Sequence, residues 1–150
     1  MKEIERKFLV EKAPEGYESF PFHMIEQAYL CTEPVVRIRR QDSEYYLTYK
    51  GKGLLSREEY NLPLTAESYA HLLTKADGNV LTKKRYLIPV ENCPDLTIEF
   101  DVFEGRFAGL MLAEVEFSSE EDANAFVPPV WFTKDVTLSG EYQNSRLSTL

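Results

Sequence analysis

The chain has 150 residues but only two cysteines, two histidines and one tryptophan. Cys31 and Cys93 are too few for a disulfide framework, so two reduced thiols are expected. His23 and His71 lie in different settings, with His71 inside a helical pattern, and neither a His-based zinc site nor a Ser-His-Asp triad has its parts. Both histidines are expected to be structural. Uninterrupted apolar runs extend over only a few residues, and the first ten residues carry Lys2, Glu3, Glu5, Arg6 and Lys7. No membrane-spanning helix or secretory leader is therefore expected, and the protein is read as cytoplasmic. No GxxxxGK[ST] loop is present. The glycines of Gly51-Lys52-Gly53 read instead as a hairpin turn after Lys50. The single Trp131, in PPVWF, reads as a packing anchor.

Low-complexity tracts, internal repeats and Gly/Ser linkers are also missing, which leaves one domain over residues 1–150. Acids outnumber bases 25 to 17, for a net charge of −8. A far field of that sign repels duplex nucleic acid and anionic lipid, so neither general nucleic-acid binding nor a membrane partner is expected. It does not exclude a small polyanion held in a concave site with a locally positive field.

What the chain does have is alternation of period two in segments rich in Tyr, Phe, Val and Ile, the pattern of β-strands. Segments fall near 2–10, 24–31, 35–41, 44–51, 55–62, 80–89, 96–103 and 110–118. Most links between them are too short for parallel crossovers, which predicts a mainly antiparallel sheet. A helix is predicted over 66–76, with Thr65 as N-cap, Tyr69, Leu72, Leu73 and Ala76 on one face, and Gly78 just past its end. A second starts at Ser119, where Ser119-x-x-Asp122 resembles a capping box, and must stop before Pro128-Pro129. A further short helix fits Asn144 to Leu150.

Residues two apart in a strand share a face, so the chemistry of the two faces can be compared. Glu3, Glu5 and Lys7 share one face of the first strand, and Ile4, Phe8 and Val10 the other, with Arg6 as the exception. Arg37 and Arg39 oppose Val36 and Ile38, and Lys50 opposes Leu47 and Tyr49. Arg57 and Glu59 oppose Tyr60 and Leu62, and Lys83 and Arg85 oppose Tyr86 and Ile88. Glu99 and Asp101 oppose Ile98 and Phe100, and Glu114 and Glu116 oppose Val115 and Phe117.

A sheet with one solvated face accounts for any single strand of this kind. It accounts poorly for the set, because a solvent face mixes charge with Ser, Thr and Gln and avoids like charges at i and i+2. The ionisable face holds seven acids and seven bases and is neutral, so the whole net charge of −8 resides elsewhere in the chain. Same-sign clusters repel unless counter-charges are supplied, and a sheet closed with this face inward gathers both signs in one cavity. Carboxylates suit a hard divalent cation such as Mg²⁺ or Mn²⁺. Arginine forks and lysine point charges suit phosphate oxygens. Together they describe a metal–polyphosphate site.

Glu3-x-Glu5-x-Lys7 resembles the ExExK signature of the CYTH superfamily, the triphosphate tunnel metalloenzymes. The match continues through MKEIERKFLV, VRIRR at 36–40, LTYKGKGLLSREEYNLP at 47–63, KKRYLIP at 83–89, EFDVFEG at 99–105, LMLAEVEF at 110–117 and EYQNSRL at 141–147. The resemblance implies a mainly β fold: a closed eight-stranded antiparallel barrel with a few short flanking helices and a tunnel for triphosphate. It implies two Mg²⁺ or Mn²⁺ ions on Glu3, Glu5, Glu59, Asp101, Glu114 and Glu116, and a phosphate clamp of Lys7, Arg37, Arg39, Lys50, Lys83 and Arg85. Glu3, Glu5 and Lys7, as the signature itself, are the catalytic candidates, and Glu99 and Arg57 are supporting ones. Where the family often places a second carboxylate after Glu59, this chain has Asn61, an amide without charge, which predicts a weaker hold on metal there. Among the family's activities, short bacterial members most resemble inorganic triphosphatases. The expected function is metal-dependent hydrolysis of tripolyphosphate, with nucleoside or thiamine triphosphates as further substrates, by a monomer or homodimer. A class IV type adenylate cyclase and a non-catalytic polyphosphate- or nucleotide-binding barrel are the alternatives.

Overall fold

The computed structural model describes residues 2–150. Its strands are β1 (Lys2–Leu9), β2 (Phe22–Thr32), β3 (Val35–Gln41), β4 (Glu44–Lys50), β5 (Ser56–Pro63), β6 (Asp77–Val90), β7 (Cys93–Glu104), β8 (Met111–Glu116) and a two-residue β9 (Lys134–Asp135). Three short helices accompany them: α1 (Ala66–Leu73), α2 (Glu120–Ala125) and α3 (Asn144–Leu147). Neighbours run β5-β4-β3-β2-β6-β7-β8-β1, all antiparallel, and β1 returns to β5 to close an eight-stranded barrel. Closure removes the free edges that an open sheet of this length would expose.

The seam depends on how β1 divides its two edges. One edge pairs with β8 from Glu5 to Leu9. The other pairs with β5 at Lys2↔Glu58, Glu3↔Arg57 and Ile4↔Ser56, and with β9 at Phe8 and Leu9. Between the two partners, Glu5 N–H donates to the Leu55 carbonyl at 3.0 Å and Lys7 N–H to Thr137 Oγ1 at 2.9 Å. The backbone that carries the ExExK residues is thereby held on both sides. β9 is too short to leave a periodic signal, and it was not among the predicted strands.

The predicted helices form, with α1 stopping at Leu73 and residues 74–75 continuing only as turns. Thr65 and Ser68 cap α1 reciprocally, and the Ser119 hydroxyl accepts from Asp122 N–H to cap α2. The link from β5 to β6 has to pass β4, β3 and β2, and α1 makes that crossing on the outer wall. There Tyr69 packs with Ala28 and Ile38.

The outer faces of β1, β6, β7 and β8 are buried as well. Phe8, Tyr86, Ile98, Phe100 and Val115 lie beneath Ala123, Phe126, Trp131 and Phe132. Trp131 is the expected packing anchor, edge-on to Phe100 at 5.4 Å and to Phe132 at 4.6 Å between ring centroids. Arg6, the exception on its face, is a brace: its Nη1 donates to the Ala123 and Phe126 carbonyls at the end of α2 (3.0 and 2.9 Å), and its Nη2 to Asp135 at 2.9 Å. A cation on the last carbonyls of a helix satisfies orphan acceptors and its dipole.

Along the inward face the character changes within single strands. Lys83 gives way to Leu81, Asp101 to Phe103, Glu114 to Leu112 and Lys7 to Leu9, at the same parity. These apolar positions cluster with Tyr29 and Val35 against Tyr142 and Leu147 of the C-terminal segment. The charged site therefore occupies one part of the interior, and α3 packs at its apolar end.

Candidate active site

The sequence-derived charged face lines one cavity. Glu3, Glu5, Glu59, Glu99, Glu114 and Glu116 meet Lys7, Arg37, Arg39, Lys50, Arg57, Lys83 and Arg85 there. Neither His23 nor His71 lines it, and His23 Nδ1 pairs with Asp42 at 2.6 Å.

Asp101 is placed differently from the expectation. It is fully buried behind the lining, and both of its oxygens are taken by cations. Directly across the β6–β7 ladder, Arg85 Nε and Nη2 donate to it at 2.8 and 2.9 Å, and Lys83 Nζ lies at 2.7 Å. Burial raises the cost of its charge, but Arg85 and Lys83 hold its carboxyl below the usual range. In this arrangement Asp101 is the counter-ion that fixes two basic residues. Burial, with Arg85 adding repulsion, pushes the Lys83 ammonium down to about 7 despite Asp101. Arg85 resists burial because Asp101, Glu99 and Glu114 surround it, and it stays charged.

The other partners divide the cavity into poles. Lys50 Nζ donates to Glu3 at 2.8 Å and lies 3.3 Å from Glu59, and Lys7 lies 3.3 Å from Glu114. Glu3 and Glu59 share a hydrogen bond, with burial raising Glu3, while the Glu3 carboxyl, Lys50 and the Asn61 amide bring Glu59 down to about 2 in spite of burial. Asn61, the amide at a position where the family often has a carboxylate, donates to Glu59 Oε1 at 3.2 Å and accepts from Thr48 at 2.5 Å.

Among the described residues, Arg37 and Arg39 have no carboxylate at ion-pair distance. Arg37 Nη2 donates to Thr48 Oγ1 at 3.0 Å, and its buried Nε has no partner. Arg39 is held by Gln27, and burial, with Arg37 and Arg85 nearby, lowers its affinity for the proton. At the opposite pole, Glu5 and Glu116 also lack an ion-pair partner among the described residues. Burial and the neighbouring Glu114 and Glu3 push Glu5 up to about 8, and burial with Glu3, Glu99 and Glu59 raises Glu116. Such an arrangement attracts an anion at one wall and a cation at the other. The described residues contain no ready-made cluster of three or more metal-ligating His, Cys, Asp or Glu side chains.

Sequence reasoning missed the neutral residues of the site: Gln27, Tyr29, Thr48, Asn144 and Ser145. Gln27 had a usable signal, an amide on the inward parity of an apolar strand. Asn144 and Ser145 lay within the matched EYQNSRL segment, but nothing in their own chemistry marked them, because the tail reaches the cavity through tertiary packing.

A profile of the CYTH domain matches residues 1–148. The chain is 40% identical to an inorganic triphosphatase of Nitrosomonas europaea, covering 99% of this chain and 97% of that protein. It is 33% identical to an inorganic triphosphatase of Acetivibrio thermocellus, covering 97% and 92% respectively. A crystal structure of an inorganic triphosphatase superposes with a TM-score of 0.72 at 36% identity, over 99% of this chain and 95% of that one. A Pyrococcus furiosus protein with a TM-score of 0.58 at 21% identity, over 82% and 84% of the two chains, shares the fold. No helix among the described residues is long and apolar enough to cross a membrane. With its family profile matched over nearly its whole length and its charged face turned into the barrel, the chain belongs to the CYTH domain family.

Proposed function

We propose that this protein hydrolyses inorganic tripolyphosphate to pyrophosphate and orthophosphate with the help of Mg²⁺ or Mn²⁺. The carrying observation is that, among the described residues, Arg37 and Arg39 on one wall of the cavity have no carboxylate, and Glu5 and Glu116 on the other no cation, at ion-pair distance. Full-length similarity to two inorganic triphosphatases supports the same reading.

In this reading Arg37 and Arg39 take the phosphate oxygens directly, having no charged partner to give up. Arg37 Nε is a buried donor awaiting an acceptor. Lys83 and Arg85, fixed by Asp101, and Lys7 and Lys50, bridged to Glu114 and Glu3, exchange part of their carboxylate contacts for phosphate. Glu5 and Glu116, with Glu3, Glu59 and Glu114 beside them, are the residues that would hold divalent ions, since burial and neighbouring carboxylates raise the cost of their charge and a cation would relieve both. When bound, such ions neutralise phosphate oxygens and lower the pKa of water. The protein's own residues align the chain, bear its charge as the terminal P–O bond breaks, and exclude bulk water through the closed wall.

Phosphate release from tripolyphosphate, ATP and thiamine triphosphate with Mg²⁺, Mn²⁺ or chelator tests the proposal. Metal-dependent release, highest on tripolyphosphate, is expected. Cyclic AMP from ATP would favour a cyclase, and tight binding without turnover a binding barrel.

A further inference from the structure

Two uncharged amides connect two cations of the basic wall. Gln27 is completely buried on β2, directly opposite Arg39 on β3. Its Oε1 accepts from Arg39 Nε at 3.0 Å and Nη2 at 2.6 Å. Its Nε2 donates to the Tyr29 hydroxyl and to Asn144 Oδ1, both at 3.0 Å. The same Asn144 oxygen accepts from Lys83 Nζ at 2.8 Å. A continuous path thus runs Arg39–Gln27–Asn144–Lys83, and its last member but one comes from α3, on the C-terminal segment.

A buried cation needs an acceptor, and a carboxylate supplies one while cancelling its charge. An amide oxygen fixes the same geometry and leaves the charge available to a ligand. The contrast is present within the site, since Lys50 and Arg85 are bridged by carboxylates while Arg39, with no carboxylate at ion-pair distance among the described residues, is held by the uncharged Gln27 amide and the Tyr46 hydroxyl. The docking of α3 that delivers Asn144 is itself secured. Asn79 N–H donates to the Ser148 carbonyl at 2.6 Å, Lys7 Nζ donates to the Tyr142 carbonyl at 3.1 Å, and Leu147 packs among Tyr29, Leu81, Phe103 and Leu112.

We propose that Gln27 and Asn144 are positioning residues, a neutral relay that leaves Arg39 without a counter-charge and adds none at Lys83 beyond the Asp101 carboxylate it shares with Arg85, so that docking of α3 completes the anion site. This inference rests on the reading of the basic wall as a polyphosphate grip. Tyr29 and Gln27 anchor the relay to β2, and Asn144 is its contribution from the tail.

Asn144→Asp separates positioning from mere filling of buried hydrogen bonds. Both bonds to the Asn144 side chain are accepted by Oδ1, so aspartate preserves them and adds only a negative charge beside Lys83. If the amide only satisfies buried donors, the variant keeps wild-type KM and Kd for tripolyphosphate. The relay predicts a KM at least about tenfold higher, a Kd by calorimetry weakened in parallel, and an unliganded Tm held or raised, because the added carboxylate opposes a cation-rich wall. Gln27→Glu, which sets a carboxylate on Arg39, should shift KM in the same direction. Asn144→Ala should also weaken binding, but without the gain in Tm. Wild-type protein that neither binds nor hydrolyses tripolyphosphate would overturn the functional reading together with the relay. Wild-type turnover with an unchanged KM and Kd in Asn144→Asp would overturn the relay alone.

Discussion

Glu5 and Glu116 are direct partners across the β1–β8 ladder, two acidic side chains on the inner wall that become like charges once both ionise, with no cation at ion-pair distance among the described residues. Opposed like charges on neighbouring strands destabilise a sheet. A fold that keeps them has a use for the resulting attraction toward a cation.

The first prediction follows from that pair. Because Glu5 is raised from 4.5 to about 8 by burial and the neighbouring Glu114 and Glu3, the native state binds more protons than the unfolded state between those values. The stability associated with the neutral carboxyl is complete below pH 4.5 and is lost as pH rises through about 8. Unliganded protein followed by thermal melts should therefore lose Tm across this window through Glu5, Glu5→Gln should flatten the loss, and added Mn²⁺ should stabilise more at pH 8 than at pH 5. A cation effect that is the same at both pH values, and in Glu5→Gln, would remove Glu5 from the cation pole.

Arg39→Ala is expected to raise the KM for tripolyphosphate about tenfold or more, since a charge-assisted phosphate contact contributes about 1.5–3 kcal/mol. Arg39→Lys should recover part of it, because one ammonium cannot reproduce the two donations that Gln27 accepts. Steady-state kinetics on folded variants measure this, and a wild-type KM in Arg39→Ala would take Arg39 out of the clamp.

Asp101→Asn removes the carboxylate that serves both Lys83 and Arg85. Breaking a buried pair by deleting one partner costs about 3–5 kcal/mol, so the unliganded variant should melt well below wild type. Tripolyphosphate should restore more of the lost Tm than it adds to wild type, by supplying the missing negative charge. Calorimetric melts with and without the anion decide the point, and an unchanged apo Tm would contradict the counter-ion role.

Gly78→Ala tests the seat of the C-terminal segment from a distance. Gly78 has φ of +72°, and a Cβ there would stand 2.1 Å from the Ser148 carbonyl oxygen. The backbone cannot yield without lifting the residues that follow α3. A lower Tm and a higher KM for tripolyphosphate are expected together, although residue 78 is not among those lining the cavity. A variant with lower Tm but wild-type KM would show that the seat of the tail and the site are independent.

The sequence made the barrel legible because the alternation is strong: long ionisable groups recur on one face of seven strands, and only inward closure reconciles their same-sign pairs. Gly78 illustrates the opposite case. It reads from sequence as punctuation after a helix, yet it sits within β6 and makes room for the tail, a contact between residues 70 apart in sequence that no local pattern encodes. Asp101 belongs to the same class. Parity put it on the inner face with Glu99, but only the register with Arg85 and the approach of Lys83 show its ion pairs with both. Neutral Gln27 and Asn144 were invisible to an argument built on charge.

The central claim is tested most directly by phosphate release from tripolyphosphate in wild type and Glu116→Gln, with calorimetric binding measured on the same samples. The account predicts metal-dependent turnover in wild type. In Glu116→Gln it predicts a rate lower by about 10²-fold, with tripolyphosphate binding retained because the basic wall is untouched. Equal rates in the two proteins, or wild type that binds tripolyphosphate well and releases no phosphate with any divalent metal, would contradict it.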